Sequence, residues 1–135
     1  MPSIKVIEDI GVRHQARLKA ADLWSCQSLL KAGATKRGRR VISETVGVAE
    51  KRVLEWVNKA DLMRVKGIST QYSELLETVG VDSIRKLRRS RSAQLHKALV
   101  DANKNHRKPL VRRMPSQDQL KYWLEQAKQL SQIVK

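Results

Sequence analysis

An internal repeat restricts the possible folds of this chain more than any other feature of its sequence. When the chain is shifted by 58 positions, residues 7–29 lie over residues 65–87. Each copy has a short apolar lead-in, a turn, an amphipathic helix and a second turn that opens another helix. The matched pairs are Ile7 and Val65, Ile10 and Ile68, His14 and Tyr72, Leu18 and Leu76, Asp22 and Gly80, Leu23 and Val81, Ser25 and Ser83, and Leu29 and Leu87. A recurring unit of this kind predicts one structural module that is used twice.

Apolar residues recur at helical spacing along the rest of the chain, and glycines separate the periodic stretches. A helix is predicted over residues 49–59, and the S-x-x-Q capping box of Ser116 and Gln119 marks the start of the last helix. The predicted apolar faces are Val53, Leu54, Trp56 and Val57; Leu95, Leu99 and Ala102; and Leu120, Trp123, Leu124, Ala127 and Leu130. No segment alternates like a strand, so we predict an all-α protein of about eight short helices.

The charge of the chain is strongly positive, with 28 Lys and Arg against 13 Asp and Glu, a net charge of +15. A chain this basic attracts polyanions, and nucleic acid is the partner class that this charge favours. Acidic proteins and anionic lipid surfaces remain the alternatives, because charge alone does not choose among them. No apolar run is long enough to cross a membrane, and residues 1–10 lack a signal-peptide core. Because Cys26 is the single cysteine, no internal disulfide is possible and a reducing, cytoplasmic setting is expected.

The turns of the two copies resemble the helix-hairpin-helix motif, h-x-x-h-x-G-h-G followed by a helix. In that motif, free backbone N–H groups at a helix N-terminus favour a DNA phosphate, and glycine lets the backbone approach it closely. The first copy reads I-E-D-I-G-V, with Asp9 at the first glycine position, and the second reads V-K-G-I-S-T, with Ser69 at the second. Contacts of this motif to DNA phosphates position a protein on DNA without reading bases.

Each hairpin therefore lacks one glycine, and the two losses have different consequences. Asp9 places a carboxylate where a phosphate would lie, so the second hairpin is the better candidate for DNA contact. Its predicted contact residues are Lys66, Gly67, Ser69 and Thr70, with Ser69 as a helix N-cap. The first hairpin offers Gly11 and Arg13. The alternative is that both turns are ordinary helix corners.

Two basic segments accompany the hairpins. Residues 85–113 hold 11 of the 28 Lys and Arg, opposed by Asp101 alone. They are Arg85, Lys86, Arg88, Arg89, Arg91, Lys97, Lys104, Arg107, Lys108, Arg112 and Arg113. The second segment opens another helix and consists of Lys36, Arg37, Arg39 and Arg40. A charge run often serves only solvation, but mixed signs would serve that purpose equally well.

Three further interpretations concern single residues. The stretch 38–57 loosely resembles a helix-turn-helix, which would place Lys51 and Arg52 in a major groove. The aromatic residues Trp56 and Trp123 are predicted to be core residues, and Tyr72 to pack on its turn. Because Trp24 has no obvious buried partner, it is the one candidate for stacking on a base.

Enzyme chemistry has no support in the sequence. A phosphate-binding G-x-x-x-x-G-K-S/T loop is absent, and Cys26, His14, His96 and His106 lack metal-ligand spacing. His96 and His106 are predicted to be packing or surface residues. We therefore expect no catalytic residue, no metal and no cofactor.

Over residues 7–128 the chain resembles the DUF4332 family, a bacterial domain of unknown function. The most specific pieces are Glu55-Trp56-Val57-Asn58, Ala60-Asp61-Leu62-Met63-Arg64 and Val111-Arg112-Arg113-Met114-Pro115. The resemblance implies a fold built on helix-hairpin-helix elements and suspected nucleic-acid binding. It brings no catalytic residues.

These observations together predict a compact all-α domain, residues 1–135, with two divergent helix-hairpin-helix elements joined by a central helical segment. Its expected parts are residues 1–34, the first hairpin unit; 35–60, central helices; 61–90, the second hairpin unit; and 91–135, the basic segment and C-terminal helices. The expected function is largely sequence-independent binding of double-stranded DNA, with nucleoid association if so. A helical module that docks an acidic protein and an RNA-binding protein are the alternatives.

Overall fold

The structure, a computed structural model, describes residues 2–105 and 111–135. Within these residues the chain forms eight α-helices and a short 3-10 helix, Ile4–Val6, with no extended strand. The α-helices are α1 (Val12–Ala20), α2 (Cys26–Ala32), α3 (Lys36–Val46), α4 (Glu50–Leu62), α5 (Thr70–Thr78), α6 (Ile84–Arg89), α7 (Ser92–Asn105) and α8 (Gln117–Gln129). The predicted all-α fold is confirmed for the described residues, and α4 extends three residues beyond its predicted end.

The chain divides into two compact units, and each has its own apolar core. The first unit comprises Met1–Asp61 and Gln132–Lys135, and the second comprises Leu62–Ser131. The prediction of a single domain over residues 1–135 stays a prediction. The second unit starts within one residue of the predicted second hairpin unit.

The internal repeat is present in the backbone hydrogen bonds of both units. In each hairpin, the isoleucine N–H donates to the carbonyl three residues earlier. At the end of the first helix of each copy, a backbone N–H just past the helix donates to the carbonyl five residues earlier. These pairs are Ile10 to Ile7 (3.0 Å) and Ile68 to Val65 (3.2 Å), then Leu23 to Leu18 (2.8 Å) and Val81 to Leu76 (2.9 Å). Ser25 and Ser83 then cap α2 and α6 with their side-chain oxygens. The two copies therefore share one local structure.

The turn after the first helix of each unit explains why Asp22 aligns with Gly80. Both residues are left-handed, with φ of 66° for Asp22 and 87° for Gly80. A left-handed residue just past a helix end lets the following N–H reach back to the last carbonyls. Aspartate tolerates this conformation better than most side chains do. The mismatch in sequence is therefore a match in structure.

The last helix of each unit buries one tryptophan against the first helix of the same unit. Trp56 in α4 and Trp123 in α8 are 0% and 2% exposed, which confirms both as core residues. Trp56 packs on His14 with ring centroids 5.7 Å apart, and Trp123 packs on Tyr72 at 5.4 Å. The predicted capping box of Ser116 and Gln119 also forms and fixes the start of α8. In each unit the last helix therefore packs on the first helix of the repeated module.

Candidate nucleic-acid interface

The second hairpin is held in place by α8. The backbone N–H of Lys66 donates to Gln126 Oε1 at 2.9 Å, and Gln126 Nε2 donates to the Lys66 carbonyl at 3.1 Å. Gly67 has φ of +99°, and a Cβ there would lie 2.7 Å from Trp123 Nε1. Packing against α8 is therefore sufficient reason for a glycine at this position, independent of any phosphate.

The outer side of this hairpin is open to solvent. Lys66, Gly67 and Ser69 are exposed, and Thr70 is half-buried. Ser69 caps α5 by accepting the N–H of Tyr72 at 3.3 Å, as its sequence position predicted. The remaining first-turn N–H groups of α5 have no acceptor within the helix, and the helix dipole makes this end positive. The geometry at this end of α5 suits an anion.

Helix α6 carries the arginine-rich segment, and its arginines have two different roles. Arg88 turns inward, where Nε donates to the Ala127 carbonyl at 3.0 Å and Nη2 to the Leu130 carbonyl at 2.9 Å. It satisfies carbonyls that the end of α8 leaves without intrahelical partners. The assignment of Arg88 to the interface is therefore revised, because its guanidinium is a cap for α8. The exposed cations of this segment are Arg85, Lys86, Arg89 and Arg91.

The hairpin and α6 are anchored to the same end of α8. Gln126 binds the hairpin backbone, and the carbonyls of Ala127 and Leu130 bind Arg88. Arg64, just before the hairpin, donates to the Ser131 carbonyl at 3.0 Å. The structure therefore brings together two of the segments that the sequence singled out, both within the second unit.

More positive charge lies beside the first turn of α5. The Tyr72 hydroxyl donates to the Arg113 carbonyl at 2.8 Å, which places the exposed pair Arg112 and Arg113 next to this turn.

At the start of α6, Lys86 pairs with Asp82, four residues earlier, at 3.0 Å, and both groups are about half exposed. An exposed pair of this kind contributes little stability, so Lys86 remains available to a phosphate. Arg107, Lys108 and His106 lie outside the described residues.

The first hairpin is organised differently. The Asp9 carboxylate binds Lys59 Nζ at 2.7 Å, and the Asp9 carbonyl accepts from Arg52 Nη2 at 3.1 Å. Lys59 itself is 5% exposed, so Asp9 supplies negative charge to a buried cation. Gly11 caps α1 with φ of −69°, a conformation that any residue adopts, and the Arg13 side chain is exposed. The aspartate thus has a structural partner in its own unit.

Removing the carboxylate of Asp9 is expected to destabilise the first unit. In an Asp9→Ala variant the buried Lys59 ammonium loses a charged acceptor, and we expect the free energy of unfolding to fall by about 1–3 kcal/mol. Urea denaturation followed by circular dichroism measures the change. Glu8→Ala is the matched control, because Glu8 is the acidic residue next to Asp9 in the chain and its side chain is exposed. Equal effects of the two variants would contradict the structural role of Asp9.

The basic segment of α3 also divides between the surface and the interior. Lys36, Arg37 and Arg40 are exposed, and Arg40 pairs with Glu50 at 3.4 Å. Arg39 is 6% exposed, and its guanidinium donates to the carbonyls of Gly33 and Lys135, each at 2.7 Å. The prediction that Arg39 contributes to a DNA-binding surface is therefore revised, because its charge is used inside the first unit.

The remaining single-residue interpretations differ in their outcome. Helices α3 and α4 meet through the left-handed Gly47, but Arg52 lies 5.6 Å from the Trp56 ring centroid and binds Asp9. In the helix-turn-helix alternative Arg52 would have to leave these contacts, while Lys51 is exposed. Trp24 is 58% exposed, so its side chain is accessible for stacking.

Groups with reactive chemistry are few in the described part of the chain. Burial raises the pKa of the Cys26 thiol to about 11, so the thiol is protonated at neutral pH. Burial lowers the pKa of His14, and the neighbouring Arg52, Arg17 and Arg13 lower it further. In residues 2–105 and 111–135, no three His, Cys, Asp or Glu side chains come together to hold a metal ion. The same residues contain no helix with the length and apolarity to cross a membrane.

Two residues that organise the hairpins were missed by the sequence reasoning, Lys59 and Gln126. Each follows the buried tryptophan of its helix by three positions, in W-V-N-K and W-L-E-Q. The two tryptophans are 67 positions apart, so the shift of 58 that reveals the repeat does not align these helices. A search that allowed an insertion before the last helix would have paired them.

Comparison with known proteins matches the chain to a family model. The model of a domain of unknown function, DUF4332, matches residues 8–130 and therefore covers both units. No curated protein and no solved structure matches the chain.

Proposed function

Since the chain belongs to the DUF4332 family, a domain of unknown function, we propose its role from the site itself: non-enzymatic, largely sequence-independent binding of double-stranded DNA. The binding surface is the second unit, and the hairpin of residues 65–70 is its helix-hairpin-helix element. The exposed cations of α6 and of the adjoining loops hold the phosphate backbone on either side of it.

One observation carries this proposal: the hairpin and the arginine-rich helix are fixed to the same end of α8. Lys66 is exposed beside the open N-terminus of α5, and Arg85 and Arg89 are exposed on α6. The second unit holds 15 of the 28 Lys and Arg and 6 of the 13 acids, so it is itself strongly positive. Backbone amides, a helix dipole and flexible cations in one unit are the elements of phosphate recognition.

The expected binding mode follows from these groups. Lys66, Ser69 and Thr70 meet a phosphate through side chains and the first-turn amides of α5, and none of them reads a base edge. With five or so phosphates neutralised, log K falls with log salt at a slope of about −4 to −5, and the dissociation constant is roughly 10⁻⁴ to 10⁻⁶ M. Binding is therefore modest, strongly salt-dependent and indifferent to sequence.

The first unit has a smaller part in this proposal. At the first hairpin the Asp9 carboxylate occupies the place of a phosphate and is paired with Lys59, so the proposal gives Gly11 and Arg13 no backbone contact. Lys36, Arg37 and Arg40 add to the positive field that attracts DNA over about one Debye length, ~8–10 Å in physiological salt.

Neutralising two exposed arginines of α6 tests the proposal. We expect Arg85→Gln with Arg89→Gln to weaken binding to duplex DNA about tenfold and to reduce the salt slope by about 1.8, because two phosphate contacts are lost. Fluorescence anisotropy with labelled duplex DNA at several salt concentrations measures both quantities. The control, Lys19→Gln with Lys31→Gln, removes the same charge from exposed sites of the first unit.

The outcomes separate the proposal from its alternatives. Equal effects of the two double variants would show that net charge alone drives binding, and the interface on α6 would be abandoned. The same titration with single-stranded DNA and structured RNA identifies an RNA-binding protein by a preference for RNA. If no nucleic acid binds at low salt, an acidic protein becomes the better partner.

A further inference from the structure

An apolar groove lies within the first unit, between the end of α1, α2 and one side of α3. Its volume is about 470 Å³, within the range of roughly 300–1,000 Å³ that ligand-binding sites occupy. Leu23 and Ala32 line one side, and Val41, Ile42 and Val46 belong to α3. The groove opens to solvent, as the 57% exposure of Val41 in its lining shows. The groove is therefore open at the surface of the first unit.

The walls of this groove are held by contacts within the unit. Gly38 brings the first turn of α3 directly against the Ala32 carbonyl, where a Cβ would collide with the end of α2. The Arg39 guanidinium fixes the same turn to the Gly33 carbonyl at 2.7 Å. At the other end of α3, Arg17 Nη1 donates to the Val46 carbonyl at 2.7 Å. Helix α3 is therefore anchored at both ends, and the groove is present before any partner arrives.

The charge around the groove selects an acidic partner. Arg37 lines the groove, and Lys36 and Arg37 stand in the first turn of α3, which contains no acidic residue. Cations at a helix N-terminus add to the positive end of the helix dipole, an unfavourable arrangement that a nearby carboxylate relieves. Glu50 reaches Arg40 but is exposed, so that pair is weak. The mouth of the groove is thus positive, and the first turn of α3 beside it supplies no acidic side chain to balance this charge.

The apolar lining distinguishes this site from the surface assigned to DNA. A phosphate backbone has no group that benefits from an aliphatic floor such as Val41 and Ile42, whereas apolar side chains of a peptide do. The groove belongs to the first unit, whereas the hairpin and α6, which are proposed to contact DNA, belong to the second. Arg37 has a part in both, but its part in DNA binding is only the long-range field, so this inference does not depend on the proposed function. We infer that the groove binds a short acidic peptide segment of another protein. Apolar side chains of the segment cover Val41, and a carboxylate pairs with Arg37.

A peptide-display selection tests this inference on the full chain. Random short peptides are selected on the protein, and we expect the enriched ones to combine Leu, Ile or Phe with Asp or Glu. Synthetic copies are then titrated by fluorescence anisotropy. Val41→Gln and Arg37→Gln are each expected to weaken binding about tenfold, because they remove the apolar contact and the charge partner.

Two matched controls lie outside the groove. Val12→Gln changes a valine on α1 that is 83% exposed, and Lys19→Gln removes an exposed cation of the same helix. Both are expected to leave peptide binding unchanged. The inference is overturned if no acidic apolar peptides are enriched, or if they bind the Val41→Gln variant as tightly as the parent. Undiminished binding of peptides with Asn and Gln in place of their acids would overturn it as well.

Discussion

Replacing Gly67 with valine is expected to lower the free energy of unfolding by about 3–5 kcal/mol. A β-branched residue at φ of +99° is strained, and its Cβ would lie 2.7 Å from Trp123 Nε1. The ring has little room to retreat, because Trp123 is 2% exposed and packs against Tyr72. The variant therefore loses the contact between the hairpin and α8, on which the core of the second unit depends.

Urea denaturation followed by circular dichroism and tryptophan fluorescence measures this loss. The control is Gly11→Ser at the matching helix start of the first unit, where φ is −69° and no atom lies within 4 Å of a new Cβ. Serine is a good N-cap, so this control is expected to be neutral or slightly stabilising. A Gly67→Val variant with the parent's unfolding midpoint would refute the packing role of this glycine.

This result also decides how the DNA contact of the second hairpin is tested. A Gly67 variant would lose DNA binding through unfolding alone, and nothing would be learned about phosphate contact. Lys66→Gln is the better probe, since it removes an exposed charge and keeps the backbone bonds to Gln126. The DNA affinity of Lys66→Gln is measured at several salt concentrations, together with that of the α6 variants.

Replacing Arg39 with alanine is expected to cost about 3 kcal/mol of stability. The guanidinium is buried and donates to two carbonyls, those of Gly33 and Lys135, at 2.7 Å each. Hydrogen bonds from a charged donor contribute roughly 1.5–3 kcal/mol each, and both acceptors would lose their partner. Deleting the side chain also leaves a gap beside α2.

Arg37→Ala is the matched control, because it removes an exposed arginine from the same helix turn. Its thermal midpoint is expected to stay close to that of the parent, while that of Arg39→Ala falls by about 10 °C. If Arg39→Ala is as stable as Arg37→Ala and weakens DNA binding instead, Arg39 belongs to the surface after all.

The sequence alone determined the elements whose signals act over a few residues. The capping box of Ser116 and Gln119, the helical spacing around Trp56 and Trp123 and the all-α class were all predicted correctly. The repeat likewise predicted one structural module used twice, and the backbone hydrogen bonds of the two copies match. That Asp22 adopts the left-handed conformation of Gly80 was seen only in the structure. Caps, turns and periodicity are local because they satisfy the backbone of neighbouring residues.

Only the tertiary structure decided which charged and small residues are used inside the protein. Asp9 meets Lys59 across 50 positions of sequence, and Arg39 meets the carbonyl of Lys135 across 96. The basic run alone does not separate Arg39 from Arg37. Helical spacing places Arg39 on the face of Ile42 and Val46, but only the fold supplies the carbonyls that its guanidinium binds. The physical reason is that the role of a guanidinium or a glycine depends on the groups that surround it in space. Those surroundings come from helices distant in the chain, and they exist only after the fold has formed.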